Sequence, residues 1–258
     1  MYILKIAYDG RYSFQQQPSK DTVCDKLLDV LDKLDFLKEY KIIYSGGRTD
    51  KGVSALGNFV VLKLKREPIL SYINHHLKDY GIWILGYKEI EKIPKVRYRH
   101  YRYILPNIGY DISLIKEASK KFIGKHSFHN LCKRDRSKDR DPVREIYDIK
   151  IIENEFFITI DIIGKSFLWH MVRKIVGVFD AIGRGEKDIE WIDKLLDPNH
   201  KEGVRTFPAE GLILIEAKVD IDYNYDSYSI KKFLEYWQER YKFYIMKMGI
   251  SRSFITTL

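Results

Sequence analysis

The chain has 258 residues, of which 45% are hydrophobic and 31% are charged, and this composition excludes a disordered chain. Its 2 cysteines, Cys24 and Cys132, lie far apart and rule out a disulfide-dense secreted fold and a cysteine-based zinc ribbon. The first residues lack a signal-peptide pattern, and no apolar run approaches the roughly 20 residues that span a bilayer. We therefore expect a soluble, cytoplasmic protein that does not enter a membrane.

Positive charge and aromatic side chains are both abundant. Lys and Arg number 45 against 36 Asp and Glu, a formal net charge of +9, and 19 residues are tyrosines. A basic surface attracts polyanions, and aromatic rings can stack on unpaired bases. The two features combine most densely in residues 95–103, Lys-Val-Arg-Tyr-Arg-His-Tyr-Arg-Tyr. This run predicts either an RNA contact or a plain β-strand with a basic outer face and tyrosines packed inward.

The first part of the chain alternates predicted strands and helices. Apolar runs and alternation predict strands at 2–9, 42–44, 58–64, 81–88 and 96–105. Apolar residues at helical spacing predict helices at 22–31 and 68–79. Asp21 or Thr22 is placed to cap the first of these helices.

The second part of the chain follows the same alternation. Strands are predicted at 144–152, 156–163 and 212–215, and helices at 111–123, 168–182, 188–197 and 228–248. Residues 124–128 are predicted as a loop, 133–141 as an exposed, mobile loop, and Gly183 as a left-handed helix cap. No low-complexity linker divides the chain, so two α+β halves sharing one sheet are expected.

Two motifs that suggest a cofactor or a metal are incomplete. Gly164-Lys165-Ser166 matches the end of a phosphate-binding P-loop, but Thr159 stands where that motif needs a glycine. His126 and His129 are three residues apart and have no third ligand beside them in the sequence. We therefore expect no metal and no nucleotide cofactor.

One turn-rich segment carries the residues best suited to catalysis. Between two predicted strands, three glycines (46, 47 and 52) surround Arg48 and Asp50. Glycines permit tight turns and close approach of a ligand to the backbone. A carboxylate held beside a guanidinium stays ionised, as a nucleophile must. An ordinary hairpin turn at Asp50-Lys51-Gly52 explains the same residues, and spacing alone favours it.

Six blocks of sequence stand out along nearly the whole chain. They are Tyr8-Asp9-Gly10 with Thr22-Val23, 47–57 (Gly-Arg-Thr-Asp-Lys-Gly-Val-Ser-Ala-Leu-Gly), 99–103 (Arg-His-Tyr-Arg-Tyr), 124–128 (Gly-Lys-His-Ser-Phe), 167–177 (Phe-Leu-Trp-His-Met-Val-Arg-Lys-Ile-Val-Gly) and 208–212 (Pro-Ala-Glu-Gly-Leu). In content and in order, these blocks resemble the motifs of the tRNA pseudouridine synthase A family, in an archaeal or heat-adapted form.

The resemblance implies a cofactor-free isomerisation of uridine to pseudouridine at positions 38 to 40, in the anticodon stem-loop of tRNA. It implies an α+β fold with two similar subdomains, 1–105 and 106–258, around a mixed, mainly antiparallel sheet with a central cleft. A homodimer is implied as well. Tyr103 is expected to pack inward.

The resemblance also implies roles for four residues. Asp50 aligns with the catalytic aspartate that attacks the flipped uridine. Tyr101 aligns with the residue that stacks on the target uracil, and Arg173 with the basic residue that pairs with the aspartate. Arg48 aligns with the arginine that fills the gap left by the flipped base.

The chain departs from the family pattern near its RNA-contacting elements. The family's Gly-Trp-Gln after the first turn is absent from residues 14–18, and Ser54 replaces the usual histidine. Two alternatives therefore stay open: a catalytically inactive tRNA-binding or chaperone protein of the same fold, and a pseudouridine synthase for another RNA. The tail after about residue 221 lies outside the resemblance and either packs against a partner subunit or extends the core.

Overall fold

The structure is a computed structural model that describes residues 1–15, 21–133 and 141–257. Within these ranges the strands are β1 (Tyr2–Tyr8), β2 (Tyr44–Ser45), β3 (Ser54–Leu62), β4 (Ile82–Glu89), β5 (Tyr98–Pro106), β6 (Gly124–Ser127), β7 (Val143–Glu153), β8 (Phe157–Gly164), β9 (Leu212–Lys218) and β10 (Asn224–Tyr225). The α-helices are α1 (Val23–Lys33), α2 (Leu70–Leu77), α3 (Ile112–Lys120), α4 (Met171–Gly183), α5 (Trp191–Leu196) and α6 (Ser227–Thr257).

The strands form one mixed sheet in the order β10-β4-β1-β3-β9-β5-β8-β7-β6, and β2 pairs with β3 off this path. Among the described strands, β3 and β9 pair in parallel and the other ladders are antiparallel. Strands of the first and second parts of the chain pair with one another at several places in this sheet, including β3–β9, β5–β8 and β5–β9. The α+β class and the mainly antiparallel sheet predicted from the sequence are therefore confirmed, whereas the subdomain boundary near residue 105 stays a prediction.

Helices α1 to α5 cover one face of this sheet. Because successive strand residues point to opposite faces, Leu4 and Ile6 of β1 join the main core with these helices, and Ile3 joins a smaller cluster on the other face. Phe233 of α6 packs with Trp83 in a third cluster on that other face. The tail thus extends the core at its start, one of the two alternatives above. No helix in the described part of the chain is long and apolar enough to cross a membrane.

Most predicted elements are confirmed to within a few residues. Thr22 caps α1 through a capping box, in which its hydroxyl accepts from the Asp25 backbone N–H and the Asp25 carboxylate accepts from the Thr22 N–H. Two predictions are wrong. The segment expected as a loop at 124–128 contains β6, which pairs with β7. Gly183 is the last residue of α4, and the left-handed residue is Gly185, with φ of 71°. Residues 134–140 of the predicted mobile loop lie outside the described ranges.

The tyrosine-rich run at 95–103 enters β5 at Tyr98, and the strand divides its side chains between the two sheet faces. Tyr101 and Tyr103 are buried, as predicted for Tyr103. His100 Nε2 and Arg102 Nε lie 2.8 Å from Asp161 Oδ1 on β8. Burial acts to raise the pKa of Asp161, but its hydrogen bonds with Arg102 and His100 outweigh burial and leave that pKa below its usual value. The basic face of this strand is thus held by an internal ion pair.

Gly57 of β3 permits the close approach of β9. A Cβ at this position would lie 2.4 Å from the carbonyl oxygen of Ile215, a contact that backbone must move to relieve. We expect Gly57→Ala to lower the free energy of unfolding by about 2 kcal/mol or more, within the range of overpacked sites. The matched control is Gly203→Ala, whose Cβ meets nothing within 4 Å. Thermal unfolding of both variants measures the difference, and an unchanged melting temperature for Gly57→Ala would contradict the tight β3–β9 contact.

Candidate active site

The loop between β2 and β3 carries Asp50, and buried hydrogen bonds fix its start. The side chain of Asn58, fully buried on β3, accepts from the Gly47 N–H and donates to the Gly47 carbonyl, each at 3.0 Å. Asn58 also donates to the Tyr8 hydroxyl at 3.0 Å, which in turn lies 2.9 Å from the Thr49 hydroxyl. Because these polar groups satisfy one another in the core, the backbone just before Asp50 is held in one conformation.

The far side of the same loop is fixed by the turn after β1. The Gly52 N–H donates to the Gly10 carbonyl at 2.8 Å, and the Phe14 N–H donates to the Thr49 carbonyl at 3.0 Å. Gly52 has φ of 96°, a conformation that favours glycine. The Tyr-Asp-Gly block at the chain start and the Gly-rich block at 47–57 are therefore neighbours in space, each supporting the other.

Three side chains at or just before the start of α4 surround the Asp50 carboxylate. Arg173 Nη1 lies 3.3 Å from Oδ2, and His170 Nε2 lies 3.2 Å from the same oxygen. Trp169 Nε1 donates to Oδ1 at 3.0 Å. The Asp50 side chain is 36% exposed, so solvent and a ligand can still reach it. The carboxylate is thus oriented on one side and open on the other.

A cleft of about 440 Å³ opens over this carboxylate. Its lining includes Asp50, Arg173, Tyr101 and Arg48, so the structure brings together the four residues singled out from the sequence. The ring of Phe167 meets Tyr101 edge to face, with ring centroids 5.2 Å apart, and fixes its plane. The volume and the mixed polar and aromatic lining suit a single nucleobase with its sugar.

Arg48 lies apart from Asp50 within the cleft. Its Nε donates to the Gln15 side chain at 3.2 Å, and its side chain is exposed. The guanidinium that contacts Asp50 instead belongs to Arg173, whose Nε also donates to the Phe207 carbonyl at 2.6 Å. This contact joins the loop that carries Asp50 to α4 and to the segment before β9.

Two side chains in the cleft have perturbed protonation. Burial lowers the pKa of His170, and the negative charge of Asp50 acts to raise it. The positive charges of Arg173, Lys133 and Lys174 lower it further, so the net pKa shift is downward. Burial raises the pKa of Tyr101. The positive charge of Arg99 acts to lower this pKa, and the negative charge of Asp50 raises it further. At neutral pH His170 is therefore a neutral imidazole and Tyr101 an intact phenol.

Sequence reasoning missed Trp169 and His170 as site residues. Both stand in the block at 167–177, but they precede the apolar stripe of α4 and carry no spacing signal of their own. The signal that could have identified them is their position just before a helix whose third residue is Arg173. His170 has φ of 64°, an uncommon conformation for a residue other than glycine.

Comparisons with known proteins point to one family. A family profile described as tRNA pseudouridine synthase matches residues 118–220. The tRNA pseudouridine synthase A of Methanocaldococcus jannaschii is 72% identical over 253 residues, covering 98% of each chain. The enzyme of the same name from Methanococcus maripaludis is 47% identical, covering 99% of each chain. The chain belongs to the tRNA pseudouridine synthase A family. It is therefore an isomerase that makes pseudouridine in tRNA, as the resemblance implied.

A more distant relative carries the same family name. The tRNA pseudouridine synthase A of Thermococcus kodakarensis is 34% identical, covering 98% of this chain and 97% of its own. Among solved structures, a chain of a Cbf5-Nop10-Gar1 complex covers 70% of this chain with 16% identity and a TM-score of 0.39, which is too low to carry an argument. Membership of the tRNA pseudouridine synthase A family thus rests on near-full-length relatives, all three of them archaeal.

Proposed function

We propose that this enzyme converts uridine to pseudouridine at positions 38 to 40, in the anticodon stem-loop of tRNA, with Asp50 as the nucleophile. The observation that carries the proposal is the Asp50 carboxylate itself. It lines a cleft, contacts Arg173 at 3.3 Å, and is partly exposed. A carboxylate ion-paired at one oxygen and accessible at the other can attack an electrophilic carbon of a bound nucleotide.

The reaction needs no outside reactant. The N1–C1′ glycosidic bond breaks, a C5–C1′ bond forms, the C5 proton leaves, and N1 gains a proton. Asp50 attacks the flipped uridine, holds the fragments together, and departs unchanged when the new bond is complete. A cleft of about 440 Å³ confines the detached uracil while it turns, which keeps it from escaping into solvent.

Tyr101 and Arg48 fit the steps before chemistry. A uridine inside a stacked stem must leave the helix, at a cost of a few kcal/mol. Tyr101, held edge-on by Phe167, offers a ring on which the uracil can stack. Arg48 is exposed at the cleft and carries a guanidinium that can occupy the vacated position in the stem. These contacts offset part of the cost of flipping.

We also propose a cellular location and an oligomeric state for the enzyme. We propose that it works in the cytoplasm, where its tRNA substrate is modified, and that it forms a homodimer. Support for a protein contact comes from α6, whose side chains from Tyr241 to Thr256 are all exposed. Apolar residues among them include Phe243, Ile250 and Phe254. Exposed apolar side chains gathered on one element are typical of an interface.

Tritium release from uridine C5 tests the proposed substrate. We expect the enzyme to release tritium from tRNA transcripts with uridine at positions 38 to 40 and from isolated anticodon stem-loops. Matched transcripts with cytidine at those three positions should release none, because no target base remains. Release from the cytidine transcripts, or from a structured non-tRNA with none from the stem-loops, would overturn the choice of site in favour of another RNA substrate.

A further inference from the structure

The two residues before α4 direct their side chains at opposite oxygens of one carboxylate. Trp169 Nε1 donates to Asp50 Oδ1 at 3.0 Å, and His170 Nε2 lies 3.2 Å from Oδ2. The two rings also contact each other, with centroids 5.1 Å apart. No hydrogen bond of Asp50 to its own loop restrains either oxygen within the described residues. The carboxylate is therefore oriented from outside its loop.

A fixed backbone aims these two side chains. The Trp169 carbonyl accepts from the Lys133 N–H at 2.8 Å, and the His170 carbonyl accepts from the Lys174 N–H at 3.0 Å. Between these two bonds His170 adopts φ of 64°. This conformation costs free energy for a histidine, and such strain persists where the surroundings enforce it. Its consequence here is that consecutive side chains both reach the cleft.

We infer that Trp169 and His170 are positioning residues that hold the Asp50 carboxylate in the orientation required for attack, Trp169 by a hydrogen bond to Oδ1 and His170 by its close contact with Oδ2. The inference rests on the proposed role of Asp50 as nucleophile. Oδ2 accepts a hydrogen bond from Arg173 and contacts the His170 ring, whereas Oδ1 accepts one hydrogen bond, from Trp169. An ionised carboxylate has about four acceptor sites, so Oδ1 retains a lone pair beside its one hydrogen bond. Oδ1 is the atom that attacks.

The chemistry of the two donors fits this role. An indole N–H only donates, so Trp169 can orient Oδ1 but cannot remove its charge. The His170 ring is neutral and contacts Oδ2 through Nε2 without adding a further positive charge beside Arg173. A ring bearing a full charge would reduce the nucleophilicity of the carboxylate more than a neutral donor does. The arrangement therefore orients Asp50 and leaves it reactive.

Single-turnover kinetics with saturating tRNA separates positioning from binding. Trp169→Phe keeps an aromatic ring for any base contact and removes only the indole N–H. We expect it to lower the rate about tenfold, the effect of one charge-assisted hydrogen bond, with the Kd for tRNA within twofold of native. Trp191→Phe is the matched control, because the Trp191 indole donates to a carboxylate, Glu202, at 3.0 Å, away from the cleft. Its rate should stay within twofold of native.

His170 is tested with a pair of amide variants. Asparagine tolerates the left-handed conformation but is too short to reach Asp50, whereas glutamine can place its amide near the position of Nε2. We expect His170→Asn to lower the single-turnover rate about tenfold and His170→Gln to recover most of that loss. If only the backbone conformation matters, the order is reversed, and the inference is wrong.

Asp50→Asn, measured in the same assay, separates failure of the inference from failure of the proposed function. An inactive Asp50→Asn together with native rates for Trp169→Phe and His170→Asn would overturn the inference and leave the nucleophile in place. An active Asp50→Asn would overturn both. A loss of tRNA affinity with an unchanged rate would assign Trp169 and His170 to RNA contact instead, and would equally end the positioning role.

Discussion

Asp50→Asn is expected to abolish pseudouridine formation, with a rate at least about 10,000-fold below that of the native enzyme, the scale seen when a nucleophile is removed. Asparagine has nearly the same shape, and its amide oxygen can still accept from Arg173 or Trp169. It lacks the negative charge that attack requires. Binding of tRNA should persist or tighten slightly, because one negative charge facing an anionic backbone is lost. Tritium release and a filter-binding titration measure the two quantities.

The control for this variant is Asp148→Asn, which removes an exposed carboxylate on β7. Both variants should unfold at temperatures within a few degrees of the native enzyme, because neither carboxylate lies in the core. If the Asp50→Asn variant kept more than a hundredth of the native activity, the assignment of Asp50 as nucleophile would be contradicted. Loss of activity in both variants would point to a general effect of charge on tRNA binding.

The loop that carries Asp50 could be predicted because its information is local. Glycines at 46, 47 and 52 mark tight turns, and Asp50 is the one carboxylate among them. The two faces of β5 could also be anticipated, because alternation along a strand follows from backbone geometry alone. In both cases a few consecutive residues determine the structure. The resemblance to the tRNA pseudouridine synthase A family then added Arg173, which no local pattern marks.

The donors on Asp50 could not be predicted because they depend on distant contacts. Trp169 is 119 residues from Asp50 in the chain, and the two meet because β9 inserts between β3 and β5 and brings the two parts of the sheet together. No periodicity in the sequence specifies that strand order. β6 was missed for a similar reason. Its four residues have no apolar alternation, and they form a strand because β7 offers an unpaired edge.

Arg173→Met is expected to lower the rate of pseudouridine formation roughly 100- to 1,000-fold, the range for loss of one charged group that acts on a reacting centre. The Arg173 side chain is only 14% exposed, so water replaces its guanidinium poorly. Its removal leaves Asp50 with the Trp169 hydrogen bond and the neighbouring His170 ring but no guanidinium partner. The carboxylate is then less well oriented. Single-turnover tritium release at saturating tRNA measures the change.

Arg173→Lys distinguishes charge from geometry at the same position. The native guanidinium uses Nη1 for Asp50 and Nε for the Phe207 carbonyl, two acceptors that one ammonium group cannot reach in the same directions. If charge alone matters, lysine restores nearly the full rate. If the two-directional geometry of the guanidinium is required, lysine recovers only a small part of the native rate. We expect this second result. Arg184→Met, at the exposed end of α4, is the control and should keep the native rate. A native rate for Arg173→Met would mean that Trp169 and His170 suffice to hold Asp50 and that the ion pair serves the fold alone.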